Sequence, residues 1–310
     1  MVTKKIAILL STYNVERFLE EQIESIIKQS NQQWTLYIRD DGSTDKTLDI
    51  LGRYQADDRI QWINENKPQN LRVIGSFLKL LESVEADYYM FCDQDDVWLS
   101  DKVQVTLNKM LTLEAENKQQ PILVHTDLRI VDQDLKATSE SMIKTQNLDP
   151  QPSFGRLLVQ NSITGCTMMI NQNLKDRCVG LDFTKIRMHD WWFALVASAF
   201  GTIGYVPQAT ILYRQHGDNE VGAKNSLSEL MSRKHLFAQT KQMIQLAMAQ
   251  ATEFVADYPN LTDDKVEMVH FYTNVKNYSK VERYRKMRTY GLLKNGSGRN
   301  AFYVFQMLTW

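Results

Sequence analysis

The 310-residue chain is poor in the residues that interrupt regular structure, with only 13 Gly and 6 Pro. Because average usage is about 7% and 5%, we expect long helices and few tight turns. Three cysteines, Cys92, Cys166 and Cys178, are too few for a disulfide framework, and none of them forms a CxxC pair. This usage is typical of a protein in a reducing compartment.

The sequence also lacks a long apolar run and an excess of charge. The first apolar run, residues 6–10, is shorter than the roughly 7–15 residues of a signal-peptide core, so it predicts a buried strand. No window reaches the about 20 apolar residues of a transmembrane helix. The net charge of −1, from 36 basic and 37 acidic residues, argues against a dedicated nucleic-acid binder.

Short apolar runs alternate with helical patterns over the first two hundred residues. Strands are expected at 6–10, 60–63 and 88–92, and a further one contains Leu36 and Ile38 and ends at the Asp-Asp-Gly turn, 40–42. Asn14 is expected to cap the first helix, and Ser43 or Asp45 to begin the second. This alternation indicates βαβ units and a parallel sheet. From about residue 227 the sequence is rich in Gln, Met, Ala and Leu, and a second helical stretch covers 263–289. We therefore expect an α/β domain over 1–222 and a helical region over 223–310.

Three carboxylates follow the fourth expected strand directly, at Asp93, Asp95 and Asp96. Ligand sites in open α/β sheets lie at the carboxyl ends of strands. Carboxylates crowded there raise one another's pKa unless a cation is present, and Mg²⁺ or Mn²⁺ prefers oxygen ligands. An acidic turn that caps the next helix is the alternative; the number of carboxylates favours a metal site.

Two other expected strand ends carry polar residues. Asp-Asp-Gly-Ser-Thr-Asp occupies 40–45, where Gly42 permits a sharp turn. Ser-Thr-Tyr-Asn closes the first strand at 11–14. Tyr13 is suited to stack on a base or to plug the top of the sheet.

Together these segments resemble the family 2 glycosyltransferases of the GT-A fold. Residues 11–16 match the opening nucleotide-binding motif of that family, 40–45 its second motif, and 93–96 its metal-binding DxD element. The resemblance covers about residues 3–220. It implies an α/β fold with a Rossmann-like, mostly parallel central sheet flanked by helices, followed by the helical C-terminal region.

The resemblance also implies a donor site. The nucleotide-sugar pocket would be lined by Thr12, Tyr13, Asn14, Glu16, Asp41, Asn70, Gly75, Asp93 and Arg214. Asp41 would accept the N3–H of a uracil or thymine base. From the chemistry of its side chain, Arg214 is suited to contact the pyrophosphate. A divalent metal, Mn²⁺ or Mg²⁺, would be held by Asp93, Asp95 and His216.

Asp190, within Met-His-Asp-Trp-Trp at 188–192, matches the catalytic base of the family. His189 stands where the family usually has Glu. From the residues alone, Asp190 is also suited to be the N-cap of a helix over 191–199, which is compatible with catalysis. The resemblance implies inverting transfer, with Asp190 taking the proton of an acceptor hydroxyl and the metal stabilising the departing nucleoside diphosphate.

The motifs are most similar to those of bacterial rhamnosyltransferases, in particular those that build the rhamnose backbone of streptococcal cell-wall polysaccharides. This implies dTDP-β-L-rhamnose as donor, an α-L-rhamnosyl product and a polyprenyl-diphosphate-linked saccharide as acceptor. The alternative is a UDP-sugar donor such as UDP-glucose, UDP-galactose or UDP-N-acetylglucosamine. A nucleotidyltransferase would want a Gly-, Lys- or Arg-rich phosphate loop near the first strand, which is not seen. A non-catalytic saccharide-binding scaffold is disfavoured because Asp95 and Asp190 are both intact.

Residues 280–310 carry seven basic residues and a single acidic one, Glu282, interleaved with aromatic side chains. A basic amphipathic segment of this kind can bind anionic lipid head groups. It can equally be a solvated helix face that packs on the core or on an oligomer partner. The sequence thus predicts a cytoplasmic protein, peripheral at the inner face of the cell membrane, and leaves a homo-oligomer open.

Overall fold

A computed structural model describes residues 4–63, 69–180, 182–216 and 233–310. The strands in these residues are β1 (Ile6–Thr12), β2 (Trp34–Asp40), β3 (Ile60–Trp62), β4 (Tyr88–Cys92), β5 (Val97–Trp98), β6 (Ile122–Val131), β7 (Ala137–Ser139), β8 (Met168–Asn171) and β9 (Thr202–Arg214). The helices are α1 (Leu19–Ile27), α2 (Thr47–Gly52), α3 (Arg72–Ser83), α4 (Lys102–Glu116), α5 (Met142–Thr145), α6 (Phe154–Val159), α7 (Gln172–Cys178), α8 (His189–Phe200), α9 (Arg233–Asp257), α10 (Asp263–Thr273), α11 (Lys280–Thr289) and α12 (Ser297–Thr309).

One mixed sheet has the strand order β3-β2-β1-β4-β8-β6-β9-β5, with β7 beside β6. β1 pairs in parallel with both β2 and β4. β8 is antiparallel to both β4 and β6, so β4 and β6 run in the same direction, and β9 is parallel to β6. The carboxyl ends of β1, β2, β4, β6 and β9 therefore lie at one edge of the sheet. The expectation of a mostly parallel central sheet is confirmed.

Helices cover both faces of the sheet, which explains why β1 is apolar on both sides. Ile8 and Leu10 belong to one buried cluster together with Leu19 and Ile23 of α1. Leu9, between them, belongs to a second cluster that includes residues of α3 and α8. Alternate side chains of a strand point to opposite faces, so both faces contribute to the core.

The C-terminal helices extend the second of these clusters. Phe254 of α9, Tyr272 of α10 and Tyr303 of α12 are fully buried in it together with Trp192 of α8, and the rings of Trp192 and Phe254 lie 5.3 Å apart. The expected helical stretch over 263–289 is two helices, α10 and α11, separated by a 3₁₀ turn, Val275–Asn277. The expected boundary at 222/223 and the texture change near 227 lie outside the described residues. Within the described part of the chain, no helix combines the length and apolar character that a membrane crossing requires.

The expected cap of the first helix is wrong. α1 begins only at Leu19, and Asn14 has a left-handed backbone, with φ of 46°. Its side-chain oxygen accepts a hydrogen bond from the backbone of Thr44 instead. At α2 the N-cap position is Lys46, so neither Ser43 nor Asp45 occupies it. Asp45 Oδ1 nevertheless accepts the N–H of Thr47, the first residue of α2, at 3.0 Å.

Candidate active site

Three polar segments meet at the carboxyl edge of the sheet. Thr12 at the end of β1 lies beside Asp40 at the end of β2. Leu10 in β1 lies beside Cys92, the last residue of β4. The segments 11–16, 40–45 and 93–96 are therefore neighbours, although they are separated by up to eighty residues in the sequence.

The first two segments are bonded to each other through alternating donors and acceptors. Each backbone N–H meets a side-chain oxygen of the other segment: Asn14 N to Ser43 Oγ at 2.9 Å, Thr44 N to Asn14 Oδ1 at 2.8 Å, Glu16 N to Asp45 Oδ2 at 3.0 Å and Lys46 N to Glu16 Oε2 at 2.9 Å. Burial opposes ionisation of Asp45, but hydrogen bonds from Thr47 and from backbone groups outweigh it and lower the pKa of this carboxyl. Asn14 and Glu16 thus join the two loops, while the ring of Tyr13 is 46% exposed.

Asp40 is the buried centre of this network. Its carboxylate accepts hydrogen bonds from Thr12 Oγ1 at 2.9 Å, Gly42 N at 3.0 Å, Ser43 N at 2.8 Å and Ser43 Oγ at 2.6 Å. The turn requires a φ of 95° at Gly42, a conformation that glycine adopts readily. The hydroxyl of Thr12 therefore bonds to the protein itself.

Asp41 connects β2 to the beginning of α3. Three groups bind its buried carboxylate: the Arg39 guanidinium and the N–H groups of Leu71 and Arg72, the latter two at 2.8 Å each. Asn70 lies beside them, since its Oδ1 accepts the N–H of Arg72 at 3.2 Å. In the next turn of α3, a Cβ on Gly75 would lie 2.9 Å from the Cβ of Leu71. The structure thus brings Asp41, Asn70 and Gly75 to one place.

The acidic segment after β4 divides into two groups. Asp95 Oδ2 lies 2.7 Å from His216 Nε2, which brings two of the expected metal ligands together. Asp93, the third, shares a cluster with Asp96 and Cys166, whose ligand atoms lie within 4.8 Å of one another. Burial, together with the charges of Asp93 and Asp95, raises the pKa of Asp96 well above its usual value.

Asp96 was counted among the three crowded carboxylates, but neither it nor Cys166 was expected to be a metal ligand. Both are buried, and Lys102, the first residue of α4, is fully buried as well. The sequence signal for Asp96 was its position in the acidic segment 93–96. Nothing local to residues 165–167 signals that Cys166 approaches β4, because tertiary folding creates that contact. Cys92, the last residue of β4, is fully buried as well.

Arg214 ends β9, and protein groups surround its guanidinium. Nε donates to the backbone oxygen of Asp95 at 2.9 Å, and Nη1 donates to that of Gln133 at 2.6 Å. Nη2 forms an ion pair with Glu21 of α1, and the Arg214 side chain is only 3% exposed. The expected contact with a pyrophosphate stays a prediction.

Asp190 lies at a second location, at the start of α8. The helix begins at His189 after Met188, so Asp190 is in the first turn and its expected role as N-cap is wrong. Its buried carboxylate accepts the N–H of Gly165 at 3.1 Å and that of Trp191 at 2.5 Å. Burial is the main cause that raises the pKa of Asp190 to about 7. A carboxylate with this pKa is matched to general-base chemistry near neutral pH.

His189, the neighbour of Asp190 in the sequence, is packed among aromatic rings. Its ring packs on Phe77, Phe91 and Phe193, with centroid distances of 4.6, 5.4 and 6.0 Å. Neither ring nitrogen has a hydrogen-bond partner among the described residues, and burial lowers the pKa of His189 to about 3. The ring is therefore neutral. A Cβ on Gly165 would lie only 3.0 Å from His189 Nε2, so the ring also restricts residue 165.

The model of the family described as Glycosyl transferase family 2 matches residues 7–153. This match covers just under half of the chain and agrees with the family that the sequence motifs indicate. The expected GT-A fold is confirmed by the solved structures described below.

Individual relatives differ in their named substrates. The dTDP-rhamnosyl transferase RfbG of Shigella flexneri is 25% identical over 242 residues, which cover 70% of this chain and 75% of that protein. The Escherichia coli protein WfgD, named as a UDP-Glc:alpha-D-GlcNAc-diphosphoundecaprenol beta-1,3-glucosyltransferase, is 26% identical over 106 residues, 34% of this chain and 41% of its own length.

Solved structures share the fold at low sequence identity. Residues 1–349 of Staphylococcus aureus TarS, in complex with UDP-GlcNAc, give a TM-score of 0.55 at 15% identity, covering 92% of this chain and 79% of that one. A longer TarS chain is covered only to 44%. The mannosyltransferase PcManGT of Pyrobaculum calidifontis, solved with GDP-Man and Mn²⁺, gives 0.52 at 11% identity, covering 94% and 74%.

Proposed function

We propose that this protein is an inverting, metal-dependent α-L-rhamnosyltransferase. It moves rhamnose from dTDP-β-L-rhamnose to a polyprenyl-diphosphate-linked saccharide in the synthesis of a cell-wall polysaccharide. The choice of donor rests on the similarity to RfbG. That protein is named a dTDP-rhamnosyl transferase and aligns with 70% of the chain. A UDP-sugar is the second candidate, supported by the name of WfgD and by the TarS complex with UDP-GlcNAc.

Asp190 is the general base of the proposed reaction. Its carboxylate takes the proton of the acceptor hydroxyl while that oxygen forms a bond to the anomeric carbon. The bond from this carbon to the diphosphate breaks, and its electron pair leaves with the nucleoside diphosphate. The pKa of about 7 lets Asp190 be ionised before the reaction and still hold the proton afterwards. Proton transfer of this kind contributes about 10²–10⁴-fold to rate.

The donor base is assigned to the surroundings of Asp41 and Tyr13. An ionised carboxylate has about four acceptor positions, and Arg39, Leu71 and Arg72 use three of them at Asp41. One position suits the N3–H of a thymine or uracil base. The half-exposed ring of Tyr13 is suited to stack on that base.

Asp95 and His216 would hold a divalent cation, with Asp93 as a further ligand. Carboxylate oxygens and an imidazole nitrogen fit Mn²⁺ or Mg²⁺, and Asp95 and His216 already lie 2.7 Å apart. When bound, the cation supplies Lewis-acid stabilisation of the diphosphate. The PcManGT structure with GDP-Man and Mn²⁺ supports this assignment.

Product mass spectrometry with a panel of sugar nucleotides tests the donor. The protein is incubated with Mn²⁺ or Mg²⁺, the panel, and a rhamnose-terminated lipid-like acceptor. We expect a mass gain of one or more deoxyhexose units from dTDP-rhamnose only, and loss of transfer in EDTA. Turnover of a UDP-sugar without turnover of dTDP-rhamnose would replace the donor assignment and leave the transferase assignment standing.

Association with the membrane surface is assigned to α11. Lys280, Arg285 and Arg288 are exposed there, together with Val281 at 79% and Tyr284 at 46% exposure. Other basic residues of the C-terminal segment bind protein groups, because Arg283 donates to the backbone oxygen of Met307 and Lys286 pairs with Glu267. The cation-rich and partly apolar exposed face suits anionic lipid head groups.

Vesicle flotation tests this assignment. Replacing Lys280, Arg285 and Arg288 by Gln should reduce binding to phosphatidylglycerol vesicles at least tenfold, since each basic residue near such a surface contributes about 1 kcal/mol. The control removes the same charge elsewhere, by replacing exposed Lys28, Arg53 and Lys118 with Gln. Equal loss in both variants would point to net charge alone, and unchanged binding would assign α11 to packing.

A further inference from the structure

The ring of Phe18 contacts Arg214 and His216 at the end of β9, and also its neighbour Arg17. Phe18, which precedes α1, is 7% exposed. The Arg214 guanidinium lies 4.6 Å from the centroid of its ring. The ring of His216 lies 4.7 Å from the same centroid, tilted by 36°. Phe18 therefore contacts both residues and limits where His216 can lie.

Arg214 and His216 also reach the same acidic segment. Arg214 Nε bonds to the backbone oxygen of Asp95, whereas His216 Nε2 lies beside its carboxylate. The backbone N–H of Arg214 donates to Asp96 Oδ1 at 3.1 Å. Backbone and side-chain bonds thus fix the end of β9 to Asp95 and Asp96.

Glu21 completes the arrangement from α1. Its carboxylate pairs with Arg214 Nη2, and its side chain is 56% exposed, against 3% for Arg214. A guanidinium is a planar fork whose donors act in fixed directions. With Nε, Nη1 and Nη2 directed at Asp95, Gln133 and Glu21, the orientation of the fork is set by three separate chain segments.

We propose that Arg214, oriented by Glu21 and Phe18, is a positioning residue that holds Asp95 and His216 together as a preorganised pair of metal ligands, and that it does not bind the donor pyrophosphate. Groups that orient ligands typically change metal affinity by 10–100-fold when they are replaced. The proposal rests on the metal dependence proposed above.

The test measures Mn²⁺ binding to the full chain without any donor, from the electron paramagnetic resonance signal of free Mn²⁺. The variants are Arg214→Lys, which keeps the charge and removes the fork, and Glu21→Gln. The matched control is Glu20→Gln, since Glu20 lies next in the same helix and pairs with Arg53 at the surface. Calorimetric titration with dTDP in EDTA reports nucleotide binding separately, and circular dichroism reports folding.

We expect Arg214→Lys and Glu21→Gln each to weaken Mn²⁺ binding about tenfold, and Glu20→Gln to change it less than twofold. The double variant should be no weaker than Arg214→Lys alone, because both act through one contact. Affinity for dTDP in EDTA should stay at the wild-type value. If Arg214→Lys does not fold, Glu21→Gln and its control carry the test, since Glu21 is half-exposed.

Two results overturn the proposal and are distinguishable. Wild-type Mn²⁺ affinity in both variants, together with weaker dTDP binding in EDTA for Arg214→Lys, would make Arg214 a pyrophosphate ligand and leave metal dependence intact. No Mn²⁺ binding by the wild-type protein would reject the proposed metal dependence and the positioning role with it.

Discussion

Two of the places where carboxylates are buried, the ends of β1 and β2 and the start of α8, differ in how fully those carboxylates are hydrogen-bonded. At the end of β2, Asp40 accepts four hydrogen bonds, and Asp41, which follows it, is bound by three groups. At the start of α8, burial dominates instead, since Asp190 has a pKa raised to about 7. Beside it, His189 has no hydrogen-bond partner for either ring nitrogen among the described residues.

The two kinds of carboxylate are therefore suited to different tasks. A buried carboxylate that is well bonded is stable as an anion and holds its loop rigid. A buried carboxylate that is incompletely compensated is costly as an anion and therefore binds a proton readily. The first arrangement suits a donor pocket that must keep its form, and the second suits a base that must accept a proton.

The largest expected effect is at Asp190. Asp190→Asn should lower transfer by about 10²–10⁴-fold and leave dTDP binding close to the wild-type value, by product mass and calorimetry. Because the folded pKa of about 7 exceeds the ordinary Asp value, wild-type stability falls as pH rises through 7. The variant escapes this loss, so urea unfolding at pH 8 should show it more stable, on the order of 2–4 kcal/mol.

At pH 4 this stability gain should vanish. The exposed Asp176→Asn in α7 is the control and should change neither rate nor stability. Loss of nucleotide binding in Asp190→Asn would instead assign Asp190 to the donor pocket.

Asp40→Asn should have the opposite effect on stability. An amide replaces a charged acceptor of four hydrogen bonds, which should cost about 2–4 kcal/mol in urea unfolding. The exposed Asp49→Asn in α2 should cost nothing measurable. A stabilised Asp40→Asn protein would contradict the distinction between the two regions.

Gly165→Ala tests how tightly Asp190 is held. The added Cβ would lie 3.0 Å from His189 Nε2 and 3.6 Å from Asp190 Cβ, so it should displace the carboxylate and reduce kcat about tenfold. Adding His189→Ala makes space and should restore part of the rate. The control is Gly52→Ala, where a Cβ meets nothing within 4 Å. An unchanged rate in Gly165→Ala would show that the site accommodates the added methyl group without displacing Asp190.

The smallest effect is expected for His189→Phe. Because unpartnered nitrogens are lost, the free energy of unfolding at pH 7 should stay within about 1 kcal/mol of wild type or rise. The folded pKa of about 3 lies below the ordinary value near 6.5, so the unfolded chain binds more protons and wild-type stability falls as pH decreases below 6.5.

Urea unfolding between pH 7 and 4 checks this sign. The variant should lose less stability than wild type over that range, whereas exposed His270→Phe in α10 should follow the wild-type curve. Parallel curves for His189→Phe and wild type would mean that the ring is partnered in solution.

Much of the fold was predictable because it follows from local patterns. Two sequence features predicted a parallel sheet and the edge at which a ligand would bind: the apolar run of β4 and the order of the three acidic or polar strand ends. The cap at Asn14 was wrong because its side chain bonds to Thr44, thirty residues away, and a helix cap is judged only from neighbours. The helical C-terminal region was expected, but its packing on Trp192 was not readable from charge patterning.

By itself, the sequence determined which residues follow each strand, and therefore which side chains gather at one edge of a parallel sheet. It also carried the family motifs. Only the tertiary structure decided which of these groups have hydrogen-bond partners. Bonds such as those from Arg214 to Asp95 and from Gly165 to Asp190 join segments that are distant in the sequence. Burial depends on the whole fold, so the raised pKa that makes Asp190 a candidate base exists only once α8 is packed against the sheet.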